Sequence, residues 1–207
     1  ILMDVTSEQD VKRAVSNSVN AFGGIDILVA NAGFASAALF EKTSSKLWDK
    51  NMDILSKGCF LISREVYQKM IDQKNGGSII FVSSKNSLNA SKGASAYSVA
   101  KSSLLHLSRS IALEGSSHKI RSNVVNPDAV IQNSKIWQGE WTKQRAISNK
   151  ISVNQVEEFY KNRSLLKVSI LPEDIAEGIY FFASSKSKKS TGNIINVDGG
   201  NITSFTR

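Results

Sequence analysis

The sequence has little cysteine, no long apolar run and no cluster of metal-binding side chains, and each shortage excludes a class of protein. With one Cys in 207 residues, the chain makes no internal disulfide and no cysteine-rich zinc site, which favours the reducing cytoplasm as its compartment. No stretch of 18 apolar residues is present, so we predict no membrane span. With no group of Asp and His at ligand spacing, we predict no bound metal.

A net charge of +8 is compatible with nucleic-acid binding, but the distribution of the charge argues against it. Lys and Arg are spread along the chain, and the densest cluster is Lys186, Lys188 and Lys189 in a Ser-rich loop. No aromatic side chains alternate with that cluster to form a stacking platform for bases. We therefore predict a solvated surface with surplus Lys and no nucleic-acid partner.

The length and the 41% of hydrophobic residues suit one domain with a filled core. The first residues, Ile1 to Asp4, carry neither a signal-peptide pattern nor a starting Met. We expect the chain to begin partway through a longer product.

Strand-length apolar runs alternate with amphipathic segments of helical length. Strands are predicted at 25–30, 79–82, 120–125 and 194–197. Helices are predicted from a capping box at 7–10 to Phe22, from Thr43 or Ser44 to about Asp72, from about Ala94 to Leu113, and with Pro172 in a first turn. Residues 131–167 are polar, with two Trp and no strand. The alternation predicts an α/β fold, a doubly wound parallel sheet with helices on both faces.

Tyr97 and Lys101 stand at i and i+4, one above the other on a helix face. A free phenol has a pKa of about 10, and a nearby cation lowers the pKa of an acid by roughly 1–3 units. The pair is therefore a way to form a tyrosinate that exchanges a proton with an alcohol or carbonyl. A half-buried Tyr beside a surface Lys has the same spacing, so the pair needs support from its surroundings.

That support comes from the ends of three predicted strands. Ser83-Ser84, Asn31-Ala32-Gly33 and Asn126-Pro127 each follow a strand. The carboxyl ends of parallel strands meet at one edge of a sheet, where open α/β folds place their sites. These small polar residues are therefore expected to line one crevice together with Tyr97 and Lys101.

These motifs, taken together, resemble the short-chain dehydrogenase/reductase family of NAD(P)-dependent oxidoreductases, and they occur in the order found in that family. The other motifs that match are Asp4-Val5, Ile120 to Asn123, and Val197 to Gly200. The resemblance covers the whole chain. It implies one Rossmann-type domain over residues 1–207 that is incomplete at its N-terminus. The missing portion is the opening strand, Gly-rich turn, helix and strand, because no Gly-x-x-x-Gly-x-Gly occurs to hold a pyrophosphate. The implied cofactor is NAD or NADP.

The resemblance also assigns roles by position. Tyr97 is the general acid/base, Lys101 lowers its pKa and holds the nicotinamide ribose, and Ser84 orients the substrate oxygen. The positions implied to bind the cofactor are Asp4, Val5, Asn31, Ala32, Gly33, Tyr97, Lys101, Pro127 and Val130. The segment from about 131 to 167 is expected to form a substrate lid. Trp137 and Trp141, at i and i+4, are expected on one face of a lid helix, either to close over a small substrate or to pack the lid.

The chain departs from the family pattern in the long second helix and after Pro127. Leu55-Ser56-Lys57-Gly58 stands where the family has Asn-x-x-Gly. Asn51 lies one helical turn earlier on the same face, and whether it replaces the missing Asn is open at this stage. Asp128 follows Pro127 where the family has Gly, and Gln132 stands where a Thr is usual.

Four segments resemble the C-terminal dehydrogenase part of bacterial bifunctional enzymes: 83–86, 126–130, 136–141 and 157–160. Those proteins fuse a rhamnulose-1-phosphate aldolase to a short-chain dehydrogenase. This resemblance implies an aldolase domain upstream, a role in rhamnose metabolism, and lactaldehyde as the small-molecule substrate, oxidised to lactate. Family members associate through the two long helices, which implies a homo-oligomer, a dimer or tetramer. Two alternatives remain: a catalytically inert oligomerising core, or a reductase of another carbonyl compound.

Overall fold

A computed structural model describes residues 1–205 as a four-stranded parallel sheet with helices against both faces. The strands are β1 Ile27–Ala30, β2 Gly77–Val82, β3 Ile120–Pro127 and β4 Ile194–Val197. The helices are α1 Glu8–Phe22, α2 Ser45–Asn51, α3 Gly58–Gln73, α4 Ser95–Gly115, α5 Glu140–Asn149, α6 Val156–Arg163 and α7 Pro172–Ala183. Within the described residues, no helix is both long enough and apolar enough to cross a bilayer.

The strands lie side by side in chain order, and every neighbouring pair is parallel. In register, Ile27 lies opposite Ser78, Phe81 opposite Val124, and Val125 opposite Ile195. Parallel neighbours need long crossover connections, which the helices between the strands supply. The predicted α/β architecture is confirmed, and all four carboxyl ends lie at one edge.

The central strand β2 is buried from both sides. Ile79 and Phe81 face a cluster that includes residues of α3 and α4, such as Met70 and Leu104. Ile80 and Val82 face the opposite side, where Phe182 of α7 packs against them. A strand covered on both faces carries apolar side chains at successive positions, which is why the sequence reads as one apolar run there.

Short polar residues fix the helix ends. The Ser7 hydroxyl accepts from the backbone N–H of Asp10 at 3.3 Å, and Gly23 closes α1 with φ of +83°. The Asp10 carboxylate accepts instead from the N–H of Asp4, so only half of the predicted capping box forms. The Ser44 hydroxyl caps α2, and Pro172 stands in the first turn of α7 as predicted.

The predicted long second helix is interrupted by one wide turn. Between α2 and α3, residues Met52–Lys57 form a π-helical segment. Such single wide turns occur mostly as bulges inside α-helices and often lie at functional sites. Apolar periodicity did not reveal this one, because a single extra residue per turn leaves the buried stripe continuous.

Residues 131–167 hold two helices, α5 and α6, and no strand, as predicted for this segment. Trp137 lies in a short 3₁₀ turn, Lys135–Trp137, whereas Trp141 lies in the first turn of α5. The expectation that one lid helix carries both Trp is therefore wrong, because Gly139 with φ of +87° breaks the chain between them. Their rings still meet, with centroids 6.2 Å apart.

The burial of β2 predicts a large loss of stability on truncation. Ile80→Ala removes a side chain that is fully buried, so we expect the free energy of unfolding to fall by about 2–5 kcal/mol. The control is Ile147→Ala, because Ile147 is 68% exposed and its truncation is expected to cost less than about 0.5 kcal/mol. Urea denaturation followed by circular dichroism measures both, and equal losses would contradict the assigned core.

Candidate active site

A cavity of about 510 Å³ opens at the carboxyl edge of the sheet. The ends of β1, β2 and β3 border it, and α4 and the 131–167 segment enclose it. Of the residues that the sequence analysis assigned, it is lined by Asn31, Gly33, Ser84, Tyr97, Lys101, Pro127 and Val130. Parallel strand ends therefore bring together residues that are up to about a hundred positions apart in the chain.

Three of the assigned residues lie outside the lining of this cavity. Asp4 is exposed, and its carboxylate accepts from the N–H and the hydroxyl of Thr6. Val5 packs against Gly58, where a Cβ would lie 2.9 Å from its side chain. Ala32 is exposed between two residues that do line the cavity. The implied adenine-side contacts of Asp4 and Val5 therefore stay a prediction.

Tyr97 stands on α4 with its side chain turned into the cavity and is 8% exposed. Its ring packs near Trp141, with centroids 5.6 Å apart. Burial raises the pKa of the Tyr97 phenol, the Ser84 hydroxyl lowers that pKa, and the carboxylate of Asp128 raises it. The net increase differs from the expectation that Lys101 lowers the pKa of this phenol.

The Lys101 ammonium does not lower the pKa of the Tyr97 phenol because it is directed at a backbone carbonyl. Its Nζ donates to the carbonyl of Val82 at 2.8 Å, at the end of β2. The backbone carbonyl of Lys101 accepts in turn from the Ser83 hydroxyl at 2.9 Å. Burial lowers the pKa of the Lys101 ammonium to about 8, and the nearby Cys59 thiol raises it. Lys101 is thus held at the sheet edge, one helical turn from Tyr97.

The long helix presents an apolar side chain at the place of the family Asn. Leu55, in the π-helical segment, is fully buried and clusters with Tyr97 and Trp141. Asn51 is also fully buried, but its amide nitrogen donates to the Ser36 hydroxyl at 2.9 Å and to the carbonyl of Leu47 at 2.7 Å. Asn51 is therefore engaged with Ser36 and its own helix and does not take the place of the missing Asn.

A set of side chains that sequence reasoning missed forms the far end of the cavity. Lys85, Asp128, Arg145 and Tyr160 line it, and Arg163 lies behind Asp128. Arg163 forms an ion pair with Asp128, whose carboxylate also accepts from the Asn201 amide at 2.9 Å. The unusual Asp128 was a signal, but its partner is 35 residues away with no local pattern that points to it.

Aromatic rings form a wall over this far end. Trp137 meets Tyr160 edge-on, with centroids 4.9 Å apart, and Trp141 stands next to Trp137. Edge-to-face pairs at this distance favour one fixed arrangement. The rings cover one side of this end of the cavity, and the charged side chains of Lys85, Asp128 and Arg145 line the rest of it. Residues 1–205 hold no group of three or more His, Cys, Asp or Glu that could hold a metal ion.

Comparison with known proteins establishes the class. The family model described as Enoyl-(Acyl carrier protein) reductase matches residues 1–201. The chain belongs to this family of short-chain dehydrogenases/reductases, whose members are NAD(P)-dependent oxidoreductases. The family resemblance read from the sequence motifs is confirmed.

Three similar proteins show how much of a relative's length this chain covers and which activities those relatives are named for. The uncharacterized oxidoreductase YuxG of Bacillus subtilis is 51% identical over the whole chain, which spans 30% of that protein's length. The crystal structure of sorbitol-6-phosphate 2-dehydrogenase SrlD from Erwinia amylovora is 30% identical, with a TM-score of 0.91 over 96% of this chain and 77% of the other. Ligand-free aldohexose dehydrogenase (AldT) from Thermoplasma acidophilum is 26% identical, with a TM-score of 0.87 over 98% of this chain and 77% of the other.

The cavity residues fit the nicotinamide end of NAD(P). Lys101 is 6% exposed, and an ammonium has three N–H donors, of which one is used by Val82. A buried donor of this kind requires acceptors, which ribose hydroxyls provide. Asn31, Gly33, Pro127 and Val130 form the adjoining wall.

The Arg163–Asp128 pair predicts a measurable contribution to stability. In Arg163→Met the Asp128 carboxylate, whose side chain is 8% exposed, loses its cation, and we expect the free energy of unfolding to fall by about 3 kcal/mol. The control is Lys161→Met, which removes an exposed pair with Glu158 and is expected to cost under about 1 kcal/mol. Thermal denaturation measures both. An additional Asp128→Asn change should restore much of the loss, and no difference between the two single variants would refute the role of the pair.

Proposed function

We propose that this chain carries the catalytic centre of an NAD(P)-dependent dehydrogenase that oxidises a small hydroxy-aldehyde, lactaldehyde, to the corresponding acid. The observation that carries the proposal is one cavity in which Ser84 and Tyr97 lie together beside Lys101. The rings of Trp137, Trp141 and Tyr160 cover its far end and can shield a bound substrate from water.

The chemistry starts from the hydrated aldehyde, which presents a hydroxyl to the cavity. Ser84 orients this hydroxyl by a hydrogen bond, and the Tyr97 phenolate takes its proton. The C–H bond of the same carbon breaks, and its hydride leaves with both electrons while the carbon–oxygen double bond of the acid forms. The bound nicotinamide supplies the acceptor for that hydride.

Tyr97 must lose its proton before it acts as a base, and burial opposes that loss because it raises the pKa of the phenol. The hydroxyl of Ser84 favours the phenolate, because it lowers the pKa of the phenol. The ammonium of Lys101 donates to the carbonyl of Val82 and would favour the phenolate only after cofactor binding brings it closer to Tyr97. The remaining N–H donors of Lys101 are proposed to hold the ribose of the cofactor, which would fix the ammonium near Tyr97.

The choice of lactaldehyde rests on the sequence resemblance. A sugar or another carbonyl compound is the second candidate, because the Erwinia and Thermoplasma relatives are named for sorbitol 6-phosphate and for aldohexoses. The third candidate is an inert oligomerising core, and it rests on the absence of a Gly-x-x-x-Gly-x-Gly motif from the sequence.

The wider organisation is also a proposal. We propose a single domain over 1–207 with residues 131–167 as its lid, and an aldolase domain upstream. The length of the Bacillus relative, most of which lies outside the match, is compatible with such a fusion. We propose a homo-oligomer, a dimer or tetramer, formed through the long helices, which expose Phe60, Val99 and Leu113.

Removal of the Tyr97 hydroxyl tests the assigned base. In a parent protein that contains the Gly-rich turn, we expect Tyr97→Phe to lower turnover of lactaldehyde at least about 100-fold, because the proton acceptor is lost. Binding of NADH, measured by its fluorescence, should stay nearly intact. The matched control is Tyr180→Phe, because Tyr180 is 58% exposed and lies outside the cavity lining. Retained turnover in Tyr97→Phe would rule out the general-base role.

A nucleotide titration tests the inert-core alternative. We expect NADH and NADPH to bind measurably to a version extended upstream through the Gly-rich turn, and much more weakly to the 207-residue chain, because the backbone donors for the pyrophosphate are supplied by that turn. Cofactor fluorescence measures both forms and identifies the preferred nucleotide. Equal binding by the short chain would contradict the need for that turn.

A further inference from the structure

Two buried cations at the far end of the cavity lack an anionic partner. Lys85 is 7% exposed and Arg145 is 3% exposed, and both line the cavity. Asp128, which also lines it, is already bound to Arg163 and Asn201. Among the residues that the structure describes, neither Lys85 nor Arg145 forms an ion pair. Buried charges are normally paired, because removal from water is costly.

Arg145 and its neighbour Trp141 also have hydrogen-bond donors to spare. One terminal nitrogen of Arg145 donates to the carbonyls of Lys92 at 2.9 Å and Gly93 at 3.4 Å. The guanidinium stacks on the ring of Trp141, 4.5 Å from its centroid. Within residues 1–205, the Nε–H of Arg145 and the indole N–H of Trp141 are buried without an acceptor. These two nitrogens are enclosed by protein. The other terminal nitrogen of Arg145 donates to no acceptor among residues 1–205 and is not enclosed, so it is available to an acceptor oxygen of a ligand in the cavity.

Lys85 is held in place and has donors left as well. Its Nζ donates to the Ser91 hydroxyl at 2.9 Å, and Ser91 donates to the Asn86 side-chain oxygen at 2.8 Å. The pKa of the Lys85 ammonium is lowered to about 8, mainly by burial and also by Arg163 and Arg145, while Asp128 opposes the decrease. Positive charge thus exceeds negative charge around Lys85, and a bound anion would favour its protonated form.

We propose that Lys85 and Arg145 form a subsite for the carboxylate of a small hydroxy acid, the product of aldehyde oxidation at Tyr97. Lys85 directly follows Ser84, and Arg145 stacks on Trp141, whose ring lies 5.6 Å from that of Tyr97. The subsite therefore adjoins the place where the carboxylate forms. A carboxylate accepts several charge-assisted hydrogen bonds from an ammonium and a guanidinium.

This proposal rests on the proposed function, and it explains the direction of the reaction. The hydrate R–CH(OH)₂ loses a hydride to NAD(P)⁺ and one hydroxyl proton to Tyr97, which leaves R–COOH. The acid then releases its remaining acidic proton to water and becomes R–COO⁻. A neutral substrate therefore becomes an anion beside two cations, which favours oxidation. Reduction to the neutral diol would gain nothing from Lys85 and Arg145.

Ligand binding to the 207-residue chain tests the subsite without turnover. Trp137 and Trp141 line the cavity, so tryptophan fluorescence reports on occupancy. The chain is titrated with lactate, with propane-1,2-diol as the uncharged analogue, and with glycerol 3-phosphate as the phosphate analogue. We expect saturable binding of lactate at least ten-fold tighter than that of the diol. Equal binding of the two, or no saturable binding of lactate, would overturn the proposal. Tighter binding of glycerol 3-phosphate than of lactate would show that the subsite prefers a phosphate ester, and it would overturn the assignment to a carboxylate.

Variants identify the residues responsible. Lys85→Met keeps the length of the side chain without its charge. It should weaken the binding of lactate at least ten-fold and leave the affinity for the diol unchanged. Lys92→Met is the matched control, because Lys92 is an exposed lysine on the same loop and its loss changes the net charge equally. Arg145→Lys keeps the charge but removes the paired N–H donors of the guanidinium. It should weaken the binding of lactate by a smaller factor than Lys85→Met does. An unchanged lactate affinity in Lys85→Met would refute the subsite.

The same variants separate this proposal from the proposed function. If the parent protein does not oxidise lactaldehyde but lactate still binds in a Lys85-dependent way, the function fails and the anion subsite stands. If the parent oxidises lactaldehyde with an unchanged kcat/KM in Lys85→Met, and lactate does not bind, the subsite fails and the function stands.

Discussion

Because the four strands pair only in parallel, their carboxyl ends all come to one edge, and the loops that follow β1, β2 and β3 line one cavity. Each of these three strand ends adds a polar group, and α4 adds Tyr97 and Lys101. The arrangement requires that the apolar side chains of β2 pack against helices on both faces. A shift of one residue in the register of β2 would exchange its two faces and move Ser84 relative to Tyr97.

Polar groups buried at that edge carry a cost that the structure offsets by specific contacts. Lys101 donates to the end of β2, Asn51 to Ser36, and Asp128 is bound by Arg163 and Asn201. Each of these contacts also fixes the position of a cavity wall. Lys85, Arg145 and Lys101 are buried cations that form no ion pair among residues 1–205, and all three line the cavity, where a bound ligand can complete the site.

The sequence predicted the architecture well, because strands and helix ends have local signals. Apolar runs marked the strands, and Ser44 and Gly23 marked helix boundaries. The motif around Tyr97 and Lys101 predicted residues that do share a cavity. The direction of the Lys101 ammonium was not predictable, because it depends on a carbonyl 19 residues away. A helix carrying both Trp137 and Trp141 was expected in residues 131–167, but α5 begins only after Gly139, which the spacing of the two Trp did not reveal. The cations at the far end come from separate segments, so no spacing in the sequence connects them.

The two helices of the 131–167 segment, α5 and α6, are attached to the rest of the chain in different ways. Arg163, at the end of α6, is bound to Asp128, and Asp128 also holds the C-terminal loop through Asn201. By contrast, α5 is joined to the loop before α4 through the contacts of Arg145 with the carbonyls of Lys92 and Gly93. Residues with positive φ, Gly139 and Lys150, lie at its two ends. Movement of α5 away from the cavity would break those contacts and the packing of Trp141 against Tyr97, whereas movement of α6 would separate the Arg163–Asp128 ion pair. Because Arg145 both attaches α5 and lines the proposed anion subsite, an anion bound there would be coupled to the attachment of this helix.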